Sequence, residues 1–143
     1  MRVCNLASGS AGNCTYVEGD ETKILVDCGL TINDLSARLG MLGVTIDDID
    51  AVVVSHEHID HIKSVATLSK KYNKKIYAYV DEWQAILAKQ SNVNPVNQMA
   101  FFELPFEIGK IKITPIKLPH DSFSCFGFCF EQNGKKFSIL TDL

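Results

Sequence analysis

The sequence predicts an α/β fold, a mixed β-sheet flanked by helices, in one domain spanning residues 1–143. Three observations predict it. The run Ala51-Val52-Val53-Val54-Ser55 is short, apolar and β-branched; it follows an acidic turn (Asp47, Asp48, Asp50) and reads as a strand buried on both faces. Apolar residues resume at helical spacing soon after it, over residues 62–72. Strand-length apolar segments recur on both sides of this unit, and Asn133-Gly134 is a strong two-residue hairpin turn between the last two.

Each element has its own signal. Residues 2–6 read as a strand. Ser8-Gly9-Ser10-Ala11-Gly12-Asn13 is a small-residue loop of the kind that lets backbone N–H groups approach an anion closely. With no anion it is a tight turn between two strands. Residues 14–18 and 23–27 pair as a hairpin turning at Gly19-Asp20. Thr31 and Asp34 form a capping box that opens a helix with Leu35, Leu39 and Leu42 on one face, ending near Gly43. The helix over 62–72 buries Ile62, Val65, Ala66 and Leu68. Lys70, Lys71, Lys74 and Lys75 gather at its end, where positive charge suits the helix dipole. Contact with a phosphate backbone is the functional alternative for those lysines. Residues 75–80 form a strand, and Asp81 caps a helix with Trp83, Ile86 and Leu87 facing inward. Residues 91–99 are a polar loop containing Pro95. Strands follow at 101–104, 111–118, 124–131 and 136–141.

The chemistry concentrates in His56-Glu57-His58-Ile59-Asp60-His61, on the loop that leaves the central strand at its carboxyl end, where α/β folds place their sites. Three of the chain's four histidines lie here, and the fourth is His120. Imidazole and carboxylate suit zinc, manganese and iron. In an extended loop His56 and His58 project the same way, because side chains alternate, so they can share one ion. Asp60 and His61 are adjacent on the turn into the helix and can face a second ion. Glu57 and Ile59 point away, and Glu57 is a partner of a ligand or a solvated residue rather than a ligand. Asp27 ends its strand and is placed to orient a ligand histidine by hydrogen bonding.

His-x-His-x-Asp-His after a strand is the signature of the metallo-β-lactamase superfamily, which this sequence resembles. Asp27 in Ile24-Leu25-Val26-Asp27-Cys28-Gly29 matches its first motif, His120 in Leu118-Pro119-His120-Asp121 its third-motif histidine, and Asp142 in Ile139-Leu140-Thr141-Asp142 its bridging aspartate. The resemblance implies a metallo-β-lactamase-like αββα sandwich of two αβ halves, of which residues 1–143 are the N-terminal half, truncated at the C-terminal side. The chain stops one residue past Asp142, and the histidine that the second half supplies is missing. It also implies a dinuclear site. His56, His58 and His120 would hold one divalent ion; Asp60 and His61 would hold the second; Asp142 would bridge. The ions would be zinc or manganese, with iron also admitted, and a bridging hydroxide would be the nucleophile. Asp60, His61 and Asp142 would then be catalytic as well as metal-binding.

The opening Leu6-Ala7-Ser8-Gly9-Ser10-Ala11-Gly12-Asn13-Cys14, together with Val26-Asp27-Cys28-Gly29-Leu30, Leu68-Ser69-Lys70-Lys71-Tyr72 and Pro119-His120-Asp121, is similar to the YycJ/VicX branch, also called WalJ. That resemblance implies a cytosolic exonuclease acting on double-stranded DNA, with Ser8, Ser10 and Asn13 as substrate contacts.

Composition bounds these expectations. At 143 residues and 46% hydrophobic content the chain can build one compact core. Its net charge of −3 is not the basic balance of a protein that grips DNA by charge alone. No apolar run is long enough to span a membrane, and Met1-Arg2-Val3-Cys4 enters a strand directly, without a signal peptide. The five cysteines, Cys4, Cys14, Cys28, Cys125 and Cys129, are odd in number and include no Cys-x-x-Cys pair, so they read as small buried hydrophobes in a reducing cytoplasm rather than as disulfides. Cys125 and Cys129 can share a strand face, and metal binding there ranks below that core reading. Three functions stay open: a metal-dependent phosphodiesterase acting on DNA; a hydrolase of a small ester, lactone or thioester on the same fold; and a catalytically incomplete fragment that self-associates through the face left by the missing half.

Overall fold

A computed structural model of the chain describes residues 1–119 and 125–140. His120, Asp121 and Asp142 lie outside these residues. Six strands, β1 (Arg2–Ala7), β2 (Cys14–Glu18), β3 (Lys23–Val26), β4 (Ala51–Val53), β5 (Lys75–Tyr79) and β6 (Gln98–Phe101), pair in that order into one mixed sheet. β1, β2 and β3 run antiparallel, and β3 through β6 run parallel. A second, antiparallel sheet has the order β10-β9-β8-β7, from β7 (Phe106–Ile108), β8 (Ile111–Leu118), β9 (Cys125–Gln132) and β10 (Lys135–Ile139). The helices are α1 (Ile32–Gly40), α2 (Ile59–Ile62), α3 (Val65–Lys70) and α4 (Trp83–Lys89).

Alternation along the strands sorts the apolar residues into two cores. Leu25, Val52, Val54, Ile76 and Ala78 meet Leu35, Leu39, Ile62, Val65, Leu68 and Ile86 from the helices. Ile24, Val26, Ala51, Val53 and Phe101 meet Ile111, Ile113, Phe126, Phe128 and Phe130 from the second sheet. The described residues therefore stack as helix, sheet and sheet. β3 and β4 are covered on both sides, which is why their sequences run apolar without a polar alternate.

The structure moves several expected boundaries. The helix expected over 62–72 starts earlier, as α2 at Ile59, and breaks before α3 begins at Val65. At the break, Ser64 donates its backbone N–H to the Cys28 carbonyl at 3.1 Å and its hydroxyl to the Leu30 carbonyl, so its donors serve the neighbouring loop. Asp81 is not a helix cap. A 3-10 turn, Val80–Glu82, runs straight into α4, whose first residue is preceded by Glu82 already in a helical conformation. The strand expected over 101–104 ends at Phe101 and begins at Gln98, where parallel pairing with β5 recruits residues read as loop. Phe102 and Leu104 are exposed before Pro105, and the short β7 follows. Asn133 and Gly134, with φ of 53° and 77°, make the expected hairpin turn.

Candidate metal centre

β3 and β4 are parallel neighbours with Val26 opposite Val53, so their carboxyl ends open at the same level. Asp27 leaves β3 with φ of 63°, a left-handed turn that aspartate tolerates better than most residues. Its N–H donates to Val53 O at 2.8 Å and its carboxylate crosses to the end of β4. There Oδ1 accepts from the Ser55 N–H at 2.7 Å, and Oδ2 accepts from the Ser55 hydroxyl at 2.6 Å. The same Oδ2 lies 2.7 Å from His61 Nδ1. Asp27 and His61 are both buried. A buried carboxylate is costly unless donors satisfy it, and here three do. With Asp27 accepting at Nδ1, the neutral imidazole of His61 carries its proton there and its lone pair on Nε2.

The rings converge around this pair. His56 packs on His61 with centroids 4.0 Å apart, and edge-on to His58 at 4.4 Å. The Ser55 hydroxyl is 3.2 Å from His56 Nδ1 and 3.3 Å from His61 Nδ1, so one serine touches both histidines and Asp27. Buried Cys125 places its sulfur 3.9 Å from His56 Nδ1. Asp60 Oδ2 is 3.6 Å from His61 Nε2.

Asp60 is held from the small-residue loop. Asn13 donates its N–H to Asp60 O at 2.8 Å and its amide to Asp60 Oδ2 at 3.1 Å, while its side chain also closes the loop on Gly9. Ser8 and Ser10 are exposed on that loop. A groove of about 450 Å³ runs beside it, lined by Asn5, Ser8, Asn13, Asp27, Ser138 and Leu140 among others. The turn after β3 lies flush on the same motif: Gly29 donates to Asn13 O at 2.9 Å and Cys28 to His61 O at 2.8 Å. A Cβ on Gly29 would overlap the Asp60 carbonyl, so only glycine fits. Next door, the buried Cys14 thiol is pushed well up, first by its hydrogen bond with Cys28 and then by burial.

The chemistry of the donors fits a divalent ion. A ligand histidine characteristically gives its other ring N–H to a carboxylate, and Asp27 receives that of His61. Among the described residues no group of three or more His, Cys, Asp or Glu is arranged to hold an ion; His120 and Asp142, two of the six expected ligands, lie outside them. Sequence reasoning missed Ser55, the grip of Asn13 on Asp60, and Lys89, which donates to Glu57. Gly29 beside Asp27 was a legible sign of close backbone approach, whereas nothing in the sequence marks Lys89.

The class that the structure defines is a layered α/β fold with a histidine cluster at the carboxyl end of its central parallel strands, and the comparisons identify the family. Residues 7–134 match the model of the metallo-beta-lactamase superfamily, and the chain belongs to that superfamily. It is 34% identical over 139 residues to the exodeoxyribonuclease YycJ of Bacillus anthracis, and 35% identical over 140 residues to the exodeoxyribonuclease WalJ of Streptococcus pneumoniae serotype 2. Each alignment takes in 96% of this chain and 52% of the relative, so the chain spans about half the length of the curated relatives it matches. Among solved structures, the class B3 di-zinc metallo-β-lactamase LRA-12 from an Alaskan soil metagenome shares the fold, with a TM-score of 0.70 at 16% identity over 90% of this chain and 56% of that one.

Proposed function

We propose that this chain is the N-terminal half of a metal-dependent hydrolase that degrades DNA as an exonuclease. The observation that supports it most is the gathering of His56, His58, His61 and Asp60 at the end of β4, with Asp27 fixing the His61 tautomer. In this reading His56, His58 and His120 would hold one divalent ion and Asp60 and His61 a second, with Asp142 as a further ligand; zinc and manganese are the leading candidates, and iron is admitted. Such an ion pair, when bound, activates water and offsets the charge of a phosphodiester. The chain's own residues prepare for it. Asp27 keeps the His61 proton at Nδ1, Ser55 ties that carboxylate to His56, and Asn13 holds Asp60 in place. Ser8 and Asn13 line the groove, and Ser10 is exposed on the same loop; to these three residues we assign contact with the substrate.

The names of the YycJ and WalJ relatives support DNA as the substrate. The net charge of −3 favours the second reading, a small ester, lactone or thioester, because that substrate needs no basic groove. We place the protein in the cytoplasm. Five cysteines that form no disulfide among the described residues support this, and no helix of those residues is long and apolar enough to cross a membrane. We also propose that the 143-residue chain self-associates. β1 and β10 are outer strands of their sheets and border the same groove, with Leu140 exposed in its lining and Val3 exposed on β1.

The test is metal content by elemental analysis, on the 143-residue chain and on a longer protein carrying the second half, followed by duplex DNA against a panel of lactones and thioesters. Two zinc or manganese ions in the longer protein, fewer in the chain, and release of nucleotides only by the longer protein are the expected results. Absence of metal from both would end the hydrolase reading, and turnover of the panel without DNA cleavage would replace the substrate. Sedimentation of the chain as a monomer at all concentrations would end the self-association proposal.

A further inference from the structure

We propose that Glu57 and Lys89 form a clamp that positions His58. The clamp rests on the metal-centre reading for its purpose but not for its existence. Glu57 lies between two of the histidines, and its side chain is only 1% exposed. A carboxylate enclosed to that degree needs a counter-charge or strong donors. Lys89, in the last turn of α4, supplies both: its ammonium donates to Glu57 Oε2 and, at 3.3 Å, to the Glu57 carbonyl. One cation thus grips the side chain and the main chain of the same residue, fixing the loop as well as the carboxylate. The other carboxylate oxygen, Oε1, lies 3.8 Å from His58 Nε2.

His58 is the ring that benefits from such a hold. His61 is enclosed and tied to Asp27, and His56 is enclosed beside Ser55 and Cys125. His58 is 38% exposed on the loop, with its edge against His56. Its Nε2 stands 3.8 Å from Oε1 of the carboxylate that Lys89 grips, so whatever fixes that carboxylate bears on the ring. The arrangement carries the packing of α4 into the motif, since Lys89 stands 32 residues from Glu57 in sequence. Glu57 and Lys89 are positioning residues, acting through His58.

The experiment follows the His58 ring directly, by ¹³C relaxation of its Cε1–H in the 143-residue chain with no metal added, and then by titration with Zn²⁺ alone. The variants are Glu57→Gln, Lys89→Arg and Lys89→Met. Glu57→Gln should fold, because Lys89 is 44% exposed and its ammonium can return to water. In wild type and Lys89→Arg the ring should be about as ordered as rigid backbone, with an order parameter of roughly 0.8, falling below about 0.6 in Glu57→Gln and in Lys89→Met. Zn²⁺ affinity should fall about tenfold or more in Glu57→Gln. Melting temperature, read in parallel, should move by no more than about 2–4 °C in that variant. A ring equally ordered in wild type and Glu57→Gln, or an unchanged Zn²⁺ affinity beside normal binding by wild type, would overturn the clamp. Loss of ring order in Glu57→Gln in a wild type that takes no Zn²⁺ would leave the clamp standing and bring down the metal centre instead.

Discussion

Asp27 sets the histidine cluster at the scale of single atoms. Its carboxylate takes three donors at 2.6–2.7 Å, from the Ser55 backbone, the Ser55 hydroxyl and His61 Nδ1. Asp27→Asn preserves the shape and tolerates the same left-handed backbone, but its amide nitrogen must face one of these donors. We expect a loss of about 1–3 kcal/mol in stability by urea denaturation, from one buried donor left without an acceptor. We also expect a roughly 10–100-fold weaker affinity for Zn²⁺. Unchanged affinity would separate Asp27 from the metal centre. A second residue-scale effect lies away from the site. The Tyr16 hydroxyl donates to Glu18 at 2.5 Å and, with Arg2, holds the Glu18 carboxyl below its ordinary range. The folded value is therefore below the unfolded one. The resulting stability is present above the unfolded pKa of about 4.3 and is lost as pH falls through the folded value. Glu18→Gln should flatten this acid limb in melts recorded from pH 6 down to pH 3, and an identical limb in both proteins would count against the assignment.

At the scale of elements, what was legible in the sequence is what packs on apolar periodicity. β4 announced itself because both of its faces are covered, and α1 because Leu35 and Leu39 repeat at helical spacing behind Thr31, whose hydroxyl accepts from Asp34 N at 3.2 Å. α2 was not legible, because its four residues, Ile59–Ile62, overlap the histidine motif, where no apolar period runs. The gap before α3 was not legible either, because the bonds of Ser64 run to Cys28 and Leu30, more than thirty residues upstream. The same reasoning divides the site. The ligand-type side chains could be read from their kinds and spacing, and Asp27 from its place at a strand end. Ser55 and Lys89 could not, since their contacts arise only when β3, β4 and α4 come together. Ser64→Ala tests the break. It removes one hydroxyl donor from the buried Leu30 carbonyl and should cost about 1–2 kcal/mol by denaturation, with helix content by circular dichroism unchanged. A gain in helix content would show that Ser64 had been interrupting a continuous helix.

The whole molecule hangs on one sheet shared by two cores. In the central strands β3 and β4, residues of the helix-side core alternate with residues of the sheet-side core: Leu25 beside Ile24 and Val26, Val52 beside Ala51 and Val53. Damage to one core should therefore be felt in the other, because the strands cannot loosen on one face alone. Phe128 tests this from the far side. It is fully buried in the second sheet and packs edge-on to Phe101, with ring centroids 5.5 Å apart. Phe128→Ala removes most of a large side chain from a packed layer and should cost about 3–5 kcal/mol. Trp83 reports from the opposite side. It packs against the helix-side core, and its indole N–H donates to Met99 O at 2.8 Å. In the variant, Trp83 fluorescence and far-UV circular dichroism should still trace one urea transition, shifted to lower concentration by the same amount. A fluorescence transition left at its wild-type midpoint while the sheet signal moved would mean that the two cores fold as separate units, and that the end of β4, where they meet the histidines, is not held by both.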